Sequence, residues 1–272
     1  MFDSTVIPRV PAGNIIGMIF SLVISVGLPI ALCIIVLRKT RARISGFFIG
    51  AATFVLFVLI LEQIMHTVVL TATGTAITGN IWLYALYGGL AAGVFEETGR
   101  YLAMKLCMKK TLNKQNAIMY GVGHGGIEAM LLVGMACISN LLIAVMINSG
   151  QVPALLSMSG VDESTYQLAV AQMTAVSTTP AWQFYMAGLE RIAAIIFHIS
   201  ASYLVYLAVK EKKLPYYLLA VLLHFLLDAM ALILMKYLSI LAVELITLLF
   251  SCVLGGVVWK MYHNGSRDGA AA

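Results

Sequence analysis

The sequence predicts an all-α fold: a polytopic membrane helix bundle of about seven transmembrane helices, N-terminus outside and C-terminus cytoplasmic. Three observations predict it. Of 272 residues, 61% are hydrophobic and only 11% are charged, far from the balance of a water-soluble domain. Apolar runs of about 20 residues or more recur along the whole length, each able to cross a hydrocarbon core of about 30 Å as a helix. The basic residues gather in short connecting segments, which is the distribution that sets orientation in a membrane.

Hydropathy places the helices at roughly 13–37, 46–71, 81–107, 116–147, 181–209, 215–235 and 239–261. The first lacks a positively charged start and a small-residue cleavage site, so it is expected to be a retained span. RKTRAR follows the first helix, KLCMKKTLNK the third, KEKK the fifth and WKMYHNGSR the seventh. All four fall on one side, which the positive-inside rule makes the cytoplasm. The other side carries only Arg9 and Lys236 beside one long loop, 149–180, too polar to span and expected to hold a short surface helix. Pro29 and the glycines of YGGLAAG and GVGHGG can kink helices or let backbones approach closely.

No repeat or low-complexity tract divides the chain, so residues 1–272 are expected to form one domain. The net charge of +5 lies in loops and gives no reason to expect nucleic acid as a partner. The expected location is the cell membrane, with the bilayer as a partner; oligomeric state is open. Cys33, Cys107, Cys137 and Cys252 lack metal-ligand spacing and are expected to form no disulfide framework.

Ionisable groups at bilayer depth are expensive, so those sharing a layer carry information. At a rise of about 1.5 Å per residue, Glu96, Glu97, His124, His198 and His224 lie roughly 12–18 Å from the basic boundary. Four helices therefore meet at one level. Glu128 follows His124 by four residues and Asp228 follows His224 by four, so each pair projects from one helix face. Such a cluster can activate water: a carboxylate takes its proton, imidazoles hold a metal or donate hydrogen bonds, and an acid stabilises an oxyanion. The bland alternative is a set of buried ion pairs holding helices in register. Three histidines with several carboxylates at one depth exceed what register needs.

Arg100 is expected to pair with Glu96 at i,i+4 or to snorkel. Arg191, beside Glu190, is expected in a positioning role, with Glu97, Glu128 or Glu190 as its partner. Glu62 and His66 share i,i+4 spacing, but the count sets them toward the outer end of the second helix, away from the layer.

The order EETGRYL (96–102), YGVGHGGIEAM (120–130), ERIAAIIFHISASYL (190–204) and LLHFLLDAM (222–230) resembles the YhfC-type intramembrane metalloproteases. These are similar in turn to the PrsW proteases and, more distantly, to the CAAX prenyl endopeptidase and bacteriocin-processing membrane proteases. The match spans about 81–235. It implies paired glutamates at Glu96 and Glu97, a middle histidine at His124 or His198, and a final motif at His224 and Asp228. Three departures stand out: Glu-Glu-x-x-Arg is one residue shorter than in the CAAX enzymes, Asp228 replaces the commoner asparagine, and Glu128 takes a second-motif place.

The expectation is an intramembrane peptidase that cleaves a membrane-associated protein or peptide by direct attack of water. Glu96 or Glu97 is the base, with His124, His198, His224 and Asp228 completing the catalytic set and Arg100, Glu128 and Arg191 positioning. HExxH is absent. A set of His124, His198 and His224 with a carboxylate nevertheless suits Zn²⁺ with one open position; the metal-free alternative makes His224 and Asp228 the oxyanion site. The competing class is an ion- or proton-coupled transporter using the same buried cluster, though the internal repeat common in such proteins is missing.

Overall fold

The computed structural model describes residues 7–152 and 162–267. Among the described residues every regular element is helical. Six helices are long and apolar enough to cross a membrane: α1 (Ala12–Lys39), α2 (Ser45–Thr73), α5 (Lys114–Asn148), α7 (Ala181–Lys210), α8 (Leu214–Leu234) and α9 (Ile240–Arg267). Between them lie the single-turn α3 (Thr75–Thr78), α4 (Ile81–Leu102) and α6 (Glu163–Thr178). Helix α4 runs on through a π-helical turn, Ala103–Cys107, and is of spanning length. Its two glutamates make it the more polar helix.

The termini of these helices follow local chemistry. Asn80 caps α4 by accepting from the backbone N–H groups of Trp82 and Leu83, satisfying donors the first turn leaves over. Proline opens α8, where a missing N–H does no harm. Helix α6 is the surface helix expected in the long loop, and Asp162 caps it by accepting from Thr165 N–H at 2.9 Å.

The chain forms two compact units. One comprises Met1–Gly27 and Ala129–Arg191. Its core holds Met18, Ala144, Ile147, Met173 and Val176. Asn14 Nδ2 donates to the carbonyls of Val176 (3.1 Å) and Thr179 (2.9 Å), so a buried amide fixes the end of α6.

The other unit comprises Leu28–Glu128 and Ile192–Ala272 and contains every residue of the predicted polar layer. Helices α4 and α8 form its most extensive pair. Gly89 and Gly93, four apart on α4, make that possible: a Cβ at either would lie 2.8 Å from a carbonyl oxygen of α8, Phe225 or Val221. Small residues at this spacing let membrane helices meet backbone to backbone. On α5, Gly123 faces the Phe47 carbonyl of α2 and Gly125 faces the His198 ring of α7. The glycine-rich segments thus set the close approach that the sequence suggests.

Buried Tyr120, Phe197, Leu204, Val205 and Ala220 form the apolar core of this unit. Large apolar side chains such as Phe48 and Trp259 are exposed on its outside, as expected of a surface solvated by lipid. All four cysteines are free.

Candidate active site

Glu96 and Glu97 lie next to each other on α4 and point to different partners. Glu97 is fully buried. One oxygen meets Arg100 Nε at 3.0 Å and the other meets His224 Nδ1 at 2.9 Å. Arg100 therefore pairs with Glu97 at i,i+3, correcting the expected partner Glu96, and it does not snorkel: its side chain is wholly enclosed. A guanidinium this deep needs every donor answered. Nη1 donates to the His198 carbonyl (2.7 Å) and to Ser202 Oγ (2.6 Å). Nη2 lies 3.2 Å from His198 Nδ1, and Tyr120 presents its ring 6.0 Å away.

Glu96 sits among the three imidazoles. His124 Nε2 is 2.9 Å from Oε2, His198 Nδ1 is 3.8 Å from Oε2, and His224 Nε2 is 3.8 Å from Oε1. Two of the imidazoles have a carboxylate behind them. His198 Nε2 contacts Glu128 at 2.5 Å and His224 Nδ1 contacts Glu97 at 2.9 Å. These contacts assign tautomers. Arg100 can only donate, so His198 Nδ1 accepts and Nε2 carries the hydrogen given to Glu128. Likewise Nδ1–H of His224 donates to Glu97, and Nε2 faces Glu96 and Asp228.

Asp228 lies at the open edge of the cluster, its side chain 38% exposed and Oδ2 3.7 Å from His224 Nε2. At 3.7 and 3.8 Å from two carboxylates, Nε2 is hydrogen-bonded to neither. Apolar walls close the other sides: Phe54 meets His124 edge-on at 5.4 Å between centroids, and Phe197 meets His224 at 4.9 Å.

The donor set fits a metal ion. Ligand atoms of Glu96, His124 and His198 all lie within 4.8 Å of one another, and a carboxylate with two imidazoles is a donor set that zinc takes. Glu128 behind His198 is the carboxylate–histidine arrangement that orients a metal ligand. His124 Nδ1 is buried and has no hydrogen-bond partner, so that ring is held only through the nitrogen that faces Glu96. One contact works the other way, because Arg100 occupies the His198 lone pair a metal would take.

Of the predicted residues, the structure brings Glu96, Glu97, Arg100, His124, Glu128, His198, His224 and Asp228 together. Arg191 belongs to the other unit, where it pairs with its neighbour Glu190. Ser202 is taken up by Arg100 and donates to the His198 carbonyl at 2.7 Å, which leaves it no nucleophilic role. Glu62 interacts electrostatically with the cluster that residue counting sets it away from. It is buried and paired with His66 at 3.2 Å as expected, yet it lies within Coulombic reach of Glu96, His224 and Asp228. It sits at the end of a π-helical stretch, Val55–Glu62, and π-bulges recur at functional sites.

Comparison with known proteins bears on this geometry. The profile of the YhfC intramembrane metalloprotease family matches residues 24–247. A protein of Bacillus subtilis (strain 168), described as the uncharacterized membrane protein YhfC, is 39% identical over 200 residues, covering 72% of this chain and 76% of its own length. No solved structure matches the chain. The match encloses all four helices that carry the Glu96-centred cluster, so this multi-pass membrane protein belongs to the YhfC intramembrane metalloprotease family.

Proposed function

We propose that the protein is an intramembrane metalloendopeptidase that hydrolyses a peptide bond of a membrane-associated protein or peptide. The observation that carries this reading is the placement of three imidazoles around Glu96, two of them backed by a further carboxylate. The basic loops face the cytoplasm on this reading, and water reaches the cluster from the side of Asp228.

Glu96, His124 and His198 would hold the metal, with zinc the ion their chemistry suits. When bound, such an ion polarises a carbonyl and makes water more acidic. The chain supplies the rest. His224 Nε2 accepts the proton of the attacking water, and Glu97 holds the ring in the tautomer that can accept it, the division of labour of a base and its orienting carboxylate. Arg100 holds Glu97 in place through their ion pair. Glu97 is enclosed between two cationic or hydrogen-donating partners, so it is a positioning residue and not the base. Asp228, the most open carboxylate of the group, can pass the proton on to the leaving amine or to solvent. The glycines beside His124 leave room for an extended substrate backbone.

The test uses the full-length chain reconstituted in vesicles with membrane-protein substrates drawn from its host. Expected are new N-termini that appear with the wild type and not with H224Q. Identical peptide termini with both proteins would contradict the reading.

A further inference from the structure

We propose that the basic pocket formed by the last turns of α4 and α7 and the first residue of α8 binds the phosphate headgroup of an anionic phospholipid. The pocket is separate from the Glu96 cluster and has a volume of about 540 Å³, within the range of small-ligand sites. Lys105, Lys109, Lys210 and Lys212 line it together with Tyr101 and Leu214, and no carboxylate does. The nearby Glu211 is paired with Lys213 at 2.8 Å. Four lysines from two helix ends therefore line one concavity without a counter-charge in its lining.

Basic residues at helix ends are expected from membrane orientation alone. Two features go beyond that. Lys105 lies on the π-helical turn Ala103–Cys107, its ammonium 5.2 Å from the Tyr101 ring, so the charge is drawn onto the pocket wall. Lys212 has φ +56°, the left-handed region. Helix α7 closes there by a hydrogen bond from Lys213 N–H to the Ala208 carbonyl at 3.1 Å, and the left-handed position of such a closure is ordinarily glycine. A lysine in that place accepts steric strain and adds a fourth positive charge to the lining.

The ligand chemistry follows from position. The pocket lies where helices leave the hydrocarbon layer, and its lining combines ammonium groups with apolar side chains. That combination suits an anionic headgroup whose acyl chains continue into the bilayer. Each such lysine strengthens attraction to an anionic lipid by about fivefold.

The experiment titrates the purified full-length chain in detergent with fluorescent phosphatidylglycerol and phosphatidylcholine. The wild type is expected to prefer phosphatidylglycerol, with the preference falling as salt rises. K105Q/K109Q should lose about 25-fold of that preference, while K105R/K109R and the distant K236Q should keep it. K212G is the sharpest variant, because glycine relieves the backbone strain: thermal stability should hold or rise while the preference drops. Equal binding of the two lipids by the wild type would overturn the proposal, as would a preference untouched in K105Q/K109Q and K212G. Displacement of the lipid by millimolar inorganic phosphate would overturn it too, by making the ligand a soluble phosphate.

Discussion

Glu97 and Arg100, three residues apart on α4, form an ion pair at 3.0 Å whose side chains are both closed to solvent. Burying two charges together is tolerable only when each has further partners. His224 supplies one for Glu97, and the His198 carbonyl and Ser202 supply two for Arg100. Through this pair the Glu-Glu-x-x-Arg segment holds two of the histidines, on α7 and α8, in fixed orientation.

Removing one partner should therefore cost far more than removing both. E97Q leaves a buried guanidinium uncompensated, and a loss of about 3–5 kcal/mol is expected. The double variant E97Q/R100M should be more stable than E97Q. Thermal or denaturant unfolding of the detergent-solubilised chain measures both, and additive losses would contradict the pairing.

Glycine positions separate packing from flexibility. In G123A the new methyl group would run into the Phe47 carbonyl of α2, and backbone cannot yield as a side chain end can. A destabilisation of about 1–3 kcal/mol is expected. Gly256 on α9 has open space within 4 Å of where a methyl group would sit, so G256A should be neutral or stabilising by up to about 1 kcal/mol. The same unfolding assay compares them.

Glu128 stands behind His198 at 2.5 Å. Replacing such an orienting carboxylate typically weakens metal affinity about 10–100-fold. E128Q is therefore expected to lose zinc to a chelator at lower concentration than the wild type does, and to regain it at higher zinc. An unchanged chelator titration would remove Glu128 from this role.

Asp162 governs the pH response of α6. Hydrogen bonds from the Ser164 hydroxyl and from Thr165 hold its carboxyl well below the usual carboxylate range. A lowered value means that the cap is fully present above the unfolded value of about 3.9 and is lost only as pH falls through the folded one. Amide protection of residues 163–178 should thus be unchanged between about pH 7 and pH 5 after correction for intrinsic exchange. In D162A it should be lower at both.

The helices are legible in the sequence because apolar runs and basic segments mark their ends: hydropathy predicts 46–71 where Ser45–Thr73 is found, and 181–209 where Ala181–Lys210 is found. The shared layer is legible for the same reason, since depth follows approximately from residue count along a helix. Glu62 escapes because the groups it interacts with, on α4 and α8, are distant from it in sequence. Arg100 escapes differently. Spacings of three and four both lie on one helix face, and only the packing of α7 and α8 decides for Glu97 over Glu96. Nothing in the sequence distinguishes His198 as an imidazole backed by Glu128, because that pairing joins residues far apart in the chain and on different helices.

Zinc per chain and peptide cleavage, measured in the same preparations of wild type, E96Q, H198Q and H224Q, test the division between metal ligands and base most directly. Expected are about one zinc in the wild type, zinc lost with E96Q and H198Q, and zinc kept in H224Q with cleavage reduced about 10²–10⁴-fold. Full zinc and full cleavage in E96Q would contradict the assignment.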